Sequence, residues 1–515
     1  MKLSTTSLAL LCSLGCCVTD AQYIQPKVRL DRTLLGSMHA SLQESQSIFH
    51  DGRTSKMVEV PGDPKLAHYA IRLTNPEICD PGVKQISGYF DVGNGKNLFF
   101  WFFEARNSPE TAPFILWQNG GPGGSSLMGL LEEQIGPCTV IENGTDVKYN
   151  SYSWNTFSNI MFLDQPSDVG YSYLAEPPTR ANYVVSAQQA GEDVWGFLQL
   201  FFGAFPQYAD LPFHSAGESY GGKYVPWVAH AIHEHNKAIA HDPWSGRTHI
   251  NLNSILLGNA AVNPRVQGPK SIDWFCEGPY KEKFGLNSTT PLYSRCEQTG
   301  LPVHCFLPLQ CEANAYEGIS TGSWNPYNVV LPCATAESVT CYKESLWTNA
   351  YLDRTDVKLA LGVDPDRPYV GINFDVNTAF MLDGDMGKNS AVVLPALLND
   401  GIRVLNYAGK ADSVCDYIVC SHFGRFVLRW LTRLQGNLAW MEELDDHPFV
   451  DEFRSKQNTA WYTKDGQLAG DVRSAGNGSY TYVAINDAGH MMPMEHGDWA
   501  MDLVYRWIHN EPLQV

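Results

Sequence analysis

"HSAGESYGGKY", residues 214–224, decides the fold, because it joins the end of an apolar run to the start of a helical pattern through one serine. Residues 212–219 (PFHSAGES) read as a strand ending in turn residues, and residues 220–240 read as an amphipathic helix. Gly217 and Gly221 flank Ser219 in the pattern G-x-S-x-G, which marks a strand-to-helix turn so tight that a side chain at either glycine would meet backbone. The turn exposes the serine hydroxyl, and the helix N-terminus that follows favours negative charge beside it. In a chain with 44 glycines the pattern is weak by itself, so its surroundings must decide. Glu218 raises a further question, since a carboxylate directly before a nucleophilic serine repels an anionic substrate or transition state.

The same alternation recurs along the chain. Residues 98–106, 113–121, 159–166, 253–260, 402–409 and 480–489 read as short apolar strands ending in turn residues, with further amphipathic helices over 186–205 and 497–510. Near-continuously apolar strands alternating with helices predict an α/β fold with a largely parallel central sheet and helices on both faces. From 264 to 350 the pattern changes to Cys, Pro and Tyr with irregular apolar segments. This stretch is expected to be an inserted, disulfide-rich cap over the C-terminal ends of the strands, where open α/β sheets bind ligands. The core is then 61–263 and 351–515.

Residues 1–21 combine Lys2, an apolar run from Leu8 to Val18 and small residues near Ala21, the pattern of a cleavable signal peptide. Residues 22–60 are polar and mixed, an N-terminal arm or a propeptide. No later stretch approaches the ~20 apolar residues of a membrane helix, and the C-terminus lacks a lipid-anchor signal. The expected destination is secretion or, alternatively, a vacuolar or lysosomal lumen. Of 13 cysteines, Cys12, Cys16 and Cys17 lie in the signal, leaving ten, an even number that implies disulfides in that compartment. Six of the ten lie between 276 and 341 without a C-x-x-C pair, which makes a zinc site the weaker reading. Asn143, Asn287 and Asn477 head N-x-S/T sequons and are candidate glycan acceptors. A net charge of −19, from 36 basic and 55 acidic side chains, argues against nucleic acid or an anionic membrane as partner.

A serine on such a turn needs a base and an acid, which on this type of sheet follow in the order Ser, Asp or Glu, His. Asp412 lies just beyond the strand 402–409, and His490 just beyond 480–489. His490 would take the serine proton, and Asp412 would hold the imidazole and stabilise its cation. The second glycine cluster, WQNGGPGGSS (117–126), lacks the G-K-[ST] of a phosphate loop and reads better as an oxyanion loop. Gly121 N–H and Tyr220 N–H would then converge on the oxygen that becomes negative. His230, His233, His235 and His241 have no H-E-x-x-H spacing and read as a solvated helix edge, so neither metal nor cofactor is expected. Tyr171, Tyr173 and Tyr220 are candidates for pocket walls and equally for core.

Five ordered blocks carry a family resemblance: NGGPGGSS (119–126), DQPSDVGYSY (164–173), GESYGGKYVP (217–226), NYAGKADSVCDY (406–417) and AGHMMPMEHGDWA (488–500). The chain resembles the serine carboxypeptidases, fungal secreted and vacuolar members especially, over roughly residues 65–510. The resemblance implies an α/β-hydrolase fold with a cap insertion and release of single amino acids from the C-termini of peptides or proteins. It makes Ser219, Asp412 and His490 the triad, Gly121 and Tyr220 the oxyanion donors, and Asn119, Glu133 and Glu218 the group that holds the substrate's terminal carboxylate. It also covers acyltransferases with the same triad and, as a non-enzyme alternative, a catalytically idle partner protein.

Some positions depart from the family pattern. Counting forward from NGGPG reaches Glu133, but counting back from GPC (136–138) reaches Gln134. Gly124 replaces a common cysteine, Glu495 replaces an Asp, and Lys410 stands where an acid is usual, two residues before Asp412. That lysine either lowers the pKa of Asp412 or faces solvent. The resemblance also answers the question of Glu218: two adjacent carboxyls cannot both ionise cheaply, so the pair keeps a proton and can donate it to a substrate carboxylate. The expectation is an acid-favouring enzyme acting through an acyl-enzyme on Ser219.

Overall fold

The computed structural model describes residues 56–58, 71–179, 182–243, 247–267, 324–417 and 436–513. The signal-peptide reading (1–21), nearly all of the arm (22–60), the sequon at Asn287 and most of the cap fall outside the described residues.

Fifteen strands are described: β1 Lys56–Val58, β2 Ile71–Thr74, β3 Gln85–Asp91, β4 Lys96–Phe103, β5 Phe114–Gln118, β6 Cys138–Val140, β7 Val147–Tyr149, β8 Asn159–Leu163, β9 Tyr173–Leu174, β10 Phe213–Glu218, β11 Leu252–Gly258, β12 Arg403–Gly409, β13 Thr459–Tyr462, β14 Leu468–Ala475 and β15 Tyr480–Ile485. Strands β6 and β7 form a separate hairpin; the others form one sheet in the order β1-β2-β3-β4-β8-β5-β10-β11-β12-β15-β14-β13, with β9 beside β4. The centre, β8 through β15, is parallel, as the sequence predicts. Both margins are antiparallel.

Each central strand buries both faces, which is why the apolar runs do not alternate with polar residues. In β5, Ile115 and Trp117 enter one core with Leu127 and Leu503, while Phe114 and Leu116 enter another with Phe197 and Phe201. The helices Ala187–Ala204 and Gly221–His241 thus cover one face, and Ser126–Leu131 and Gly497–Ile508 the other. The antiparallel strands β3 and β14 escape the sequence reading for a local reason. Gly88, where a Cβ would meet Arg72 O at 1.8 Å, interrupts β3, and in β14 Asp471 and Arg473 carry charges matched by Lys410 and Glu442.

Parallel strands end on one edge of a sheet. The residues after β5, β10, β11, β12 and β15 therefore gather there, at the position where doubly wound sheets bind ligands. The helix Lys343–Leu352 crosses the expected cap boundary at 350 and packs on the core through Tyr351 and Leu352. The described disulfides are Cys79–Cys138 and Cys333–Cys341. No helix among the described residues is long and apolar enough to cross a membrane.

Candidate active site

Strand β10 stops at Glu218, and Ser219 takes the left-handed conformation, φ 62°. Such a backbone is costly for a non-glycine residue and persists only where neighbours over-determine it. Here Ser219 N donates to Gly258 O at 3.0 Å, and Ser219 O accepts from Ala261 N and Gly222 N, both at 2.9 Å. A Cβ on Gly217 would lie 2.5 Å from Gln118 O, and one on Gly120 only 2.3 Å from Tyr220 N. The glycines let the ends of β5 and β10 touch, which brings the oxyanion candidates Gly121 and Tyr220 to the wall of one cavity with Ser219 and His490. The cavity has a volume of about 100 Å³, and Met128, Ile372, Met386, Val414 and Met491 give it an apolar lining. Ser219 is half-buried, whereas the acids and His490 are buried.

His490 Nδ1 lies 2.9 Å from Asp412 Oδ2. Asp412 also accepts from Val414 N at 2.8 Å, through Oδ1, and from Asn259 Nδ2 at 2.8 Å, through Oδ2. Sequence reasoning missed Asn259; its one trace is its place at the end of β11, the strand between those carrying Ser219 and Asp412. Lys410 is partly exposed and bonded to other groups. Its ammonium bonds to Asp471 and, at 2.7 Å, to Asn486. The loop carrying His490 is held by two backbone donors: His490 N donates to Tyr327 O at 2.6 Å, and Gly489 N donates to Glu495. Glu495 further accepts from Asn328 Nδ2 at 2.8 Å and the Tyr342 hydroxyl at 2.6 Å.

On the other side of His490, Glu218 Oε1 lies 3.8 Å from Nε2. Glu218 and Glu133 face each other closely enough for each to shift the other's titration, and Asn119 Nδ2 donates to Glu133 Oε1 at 2.6 Å. The Asn119 amide has one orientation because its oxygen accepts from Trp117 Nε1 at 2.7 Å and Gly129 N at 3.1 Å. Trp117 is a second residue that sequence reasoning missed. Burial raises both glutamates above the ordinary carboxylate range, Glu218 strongly, and the neighbouring Glu133 charge adds to it. Glu132, beside them and hydrogen-bonded by Ser345, is pushed up by burial to about 8. Glu133, not Gln134, is thus the residue that faces Glu218; Gln134 takes up the longer loop with φ 62°.

The remaining candidates scatter. Tyr220 lines the cavity, but Tyr171 is core, edge-on to Phe99 and Tyr369, and Tyr173 packs on Tyr89 and beneath Arg367. His233 and His235 pair with different carboxylates, Asp400 at 2.7 Å and Glu192 at 3.1 Å. Among the described residues, Asp412, Cys415 and His490 bring three potential ligand atoms within 4.8 Å of one another, though two of these residues are already bonded together. Asp164, inside the second resemblance block, accepts from Ser125 Oγ, Ser126 N and Tyr171 N and braces the loop after β5.

A serine in a strand-to-helix turn, lining one cavity with an imidazole that follows the last parallel strand, is the arrangement of an α/β-hydrolase. Residues 76–510 match the family model described as serine carboxypeptidase, and the chain belongs to that family. It is 36% identical over 442 residues to carboxypeptidase Y of Schizosaccharomyces pombe, covering 83% of this chain and 41% of that protein's length. Carboxypeptidase Y homolog A of Phaeosphaeria nodorum is 34% identical over 467 residues, 87% of this chain and 78% of the relative. Among solved structures, Kex1(delta)p, a prohormone-processing carboxypeptidase from Saccharomyces cerevisiae, shares the fold with a TM-score of 0.65 at 22% identity, over 85% of this chain and 94% of that one.

Proposed function

We propose that the protein releases single amino acids from the C-termini of peptides at acid pH. Ser219 Oγ attacks the carbonyl carbon of the last peptide bond while His490 takes the serine proton, and Asp412 steadies the resulting imidazolium. The carbonyl oxygen becomes an oxyanion facing the N–H groups of Gly121 and Tyr220. His490 then returns the proton to the leaving amine, the C-terminal amino acid departs, and water hydrolyses the acyl-enzyme by the same steps.

One observation carries the reading: Glu218 Oε1 stands 3.8 Å from His490 Nε2. A group that binds a terminal carboxylate so close to the base leaves room for one residue beyond the scissile bond. Because both glutamates have raised pKa values, their shared proton is present at low pH and lost as pH rises. Affinity for peptide acids should fall in the same direction. Peptide amides, which lack the terminal charge, should not follow. Measuring kcat/KM against pH for a peptide acid and its amide tests this, and superimposable profiles would contradict it.

Exposed sequon asparagines at 143 and 477 support glycosylation and, with the amino-terminal pattern, a secreted or vacuolar location. The contacts of Tyr327, Asn328 and Tyr342 with the His490 loop support assigning 264–350 as the cap.

A further inference from the structure

Tyr220 is anchored from behind. Its hydroxyl donates to Asp385 Oδ2 at 2.6 Å, and both residues are buried. The same oxygen accepts from Ala187 N at 3.1 Å, at the start of the helix Ala187–Ala204, where a helix N-terminus stabilises negative charge. Lys388 Nζ lies 3.3 Å from Asp385 Oδ1. Two more bonds tie this segment to the turn after Ser219: Lys223 Nζ donates to Lys388 O, and Ser390 Oγ donates to Gly222 O at 2.7 Å. Met386, next to Asp385, is part of the cavity wall.

These contacts meet the chain at a strained turn. The Ser219 backbone is left-handed, and Tyr220 opens the next helix with no side-chain cap of its own. Neighbours must therefore hold the Ser219–Tyr220 peptide, and with it the Tyr220 N–H. Inside the sheet Gly258 and Ala261 hold it. From outside, the tyrosine ring is a lever whose far end is fixed by Asp385, with Tyr224 and Phe380 edge-on at 5.2 and 5.9 Å.

We propose that Asp385 is a positioning residue which, through the Tyr220 hydroxyl, keeps the Tyr220 N–H aimed at the developing oxyanion and so sets kcat rather than substrate affinity. The proposal rests on the acyl-enzyme mechanism above, and its test separates the two. Two inhibitors are compared. With a peptide aldehyde, Ser219 Oγ adds to the aldehyde carbon, the serine proton passes to His490, and the carbonyl oxygen becomes an oxyanion. An N-acyl amino acid, the acidic product, forms no tetrahedral adduct with Ser219.

In Asp385→Asn, kcat should fall about 10- to 100-fold, the scale of a misaligned catalytic group. The aldehyde Ki should rise by a similar factor, while KM and the product Ki stay within about twofold. Tyr220→Phe should reproduce the pattern, and the double variant should be no worse than either single one, because both break the same bond. Organophosphate titration counts intact sites, so rates are compared per site. If Asp385→Asn does not fold, Tyr220→Phe, which leaves Asp385 in place, carries the test. Equal changes in both Ki values, or no change in the aldehyde Ki, would overturn the proposal. A wild-type protein neither labelled by organophosphate nor active on peptide acids would instead overturn the mechanism beneath it.

Discussion

On one side of His490, Asp412 receives three donors: the imidazole at 2.9 Å, and Asn259 Nδ2 and Val414 N at 2.8 Å each. On the other, Asn119 donates to Glu133 Oε1 alone, and Glu133 and Glu218 each keep an Oε2 that no donor reaches. All three acids are buried, so burial does not separate their roles. The supply of donors does. A carboxylate surrounded by N–H groups is solvated by protein, whereas two carboxyls facing each other lower their energy by retaining a proton. In the proposed mechanism Asp412 steadies the imidazole and the glutamate pair offers a hydrogen-bond donor to the substrate, so one functional group serves two tasks in one site.

The sharpest way to break this contrast is to remove the charge on the first side. Asp412→Asn should lower kcat by about 10⁴, with KM little changed, because the amide favours the wrong imidazole tautomer. Steady-state kinetics at the wild-type optimum checks this. Next, Asn259→Ala should lower kcat about tenfold or more, since it removes one bond to a charged group and lets the Asp412 side chain turn. A loss in KM instead would assign Asn259 to substrate binding.

On the second side, Glu218→Gln supplies a donor that does not titrate. Wild-type KM for a peptide acid should rise up to about tenfold per pH unit once the shared proton is lost, and the variant's KM should stay flat. A variant whose KM still climbs would place the titrating group elsewhere. The smallest effect concerns stability. Glu132, raised from 4.5 to about 8, binds its proton more tightly folded than unfolded. Its contribution is therefore full below pH 4.5 and lost as pH rises through about 8. Glu132→Gln should flatten the fall in Tm between about pH 5 and pH 9 by a few degrees.

Much of this arrangement is legible in the chain. The stretches 114–117 and 160–163 are apolar at every position because both faces of their strands are covered, and that pattern predicts the parallel centre; the same pattern in 98–103 belongs to β4, whose neighbours run antiparallel. The spacing of Gly217, Ser219 and Gly221 specifies the turn, since only a residue without Cβ fits against Gln118 O. Lys410 illustrates the limit. Its position two residues before Asp412 says nothing about direction, and its partner Asp471 lies on β14, an antiparallel strand that the periodicity does not reveal.

The sequence by itself determined the alternation of strands and helices in the parallel centre, the glycines that permit the turn, and the candidate serine, acid and imidazole at the strand ends, because these follow from side-chain volume and local periodicity. Tertiary structure alone decided that Glu133 rather than Gln134 meets Glu218, and that Asn259 donates to Asp412. Those outcomes depend on how many donors converge from distant segments, and donor number is a property of packing that no local spacing encodes.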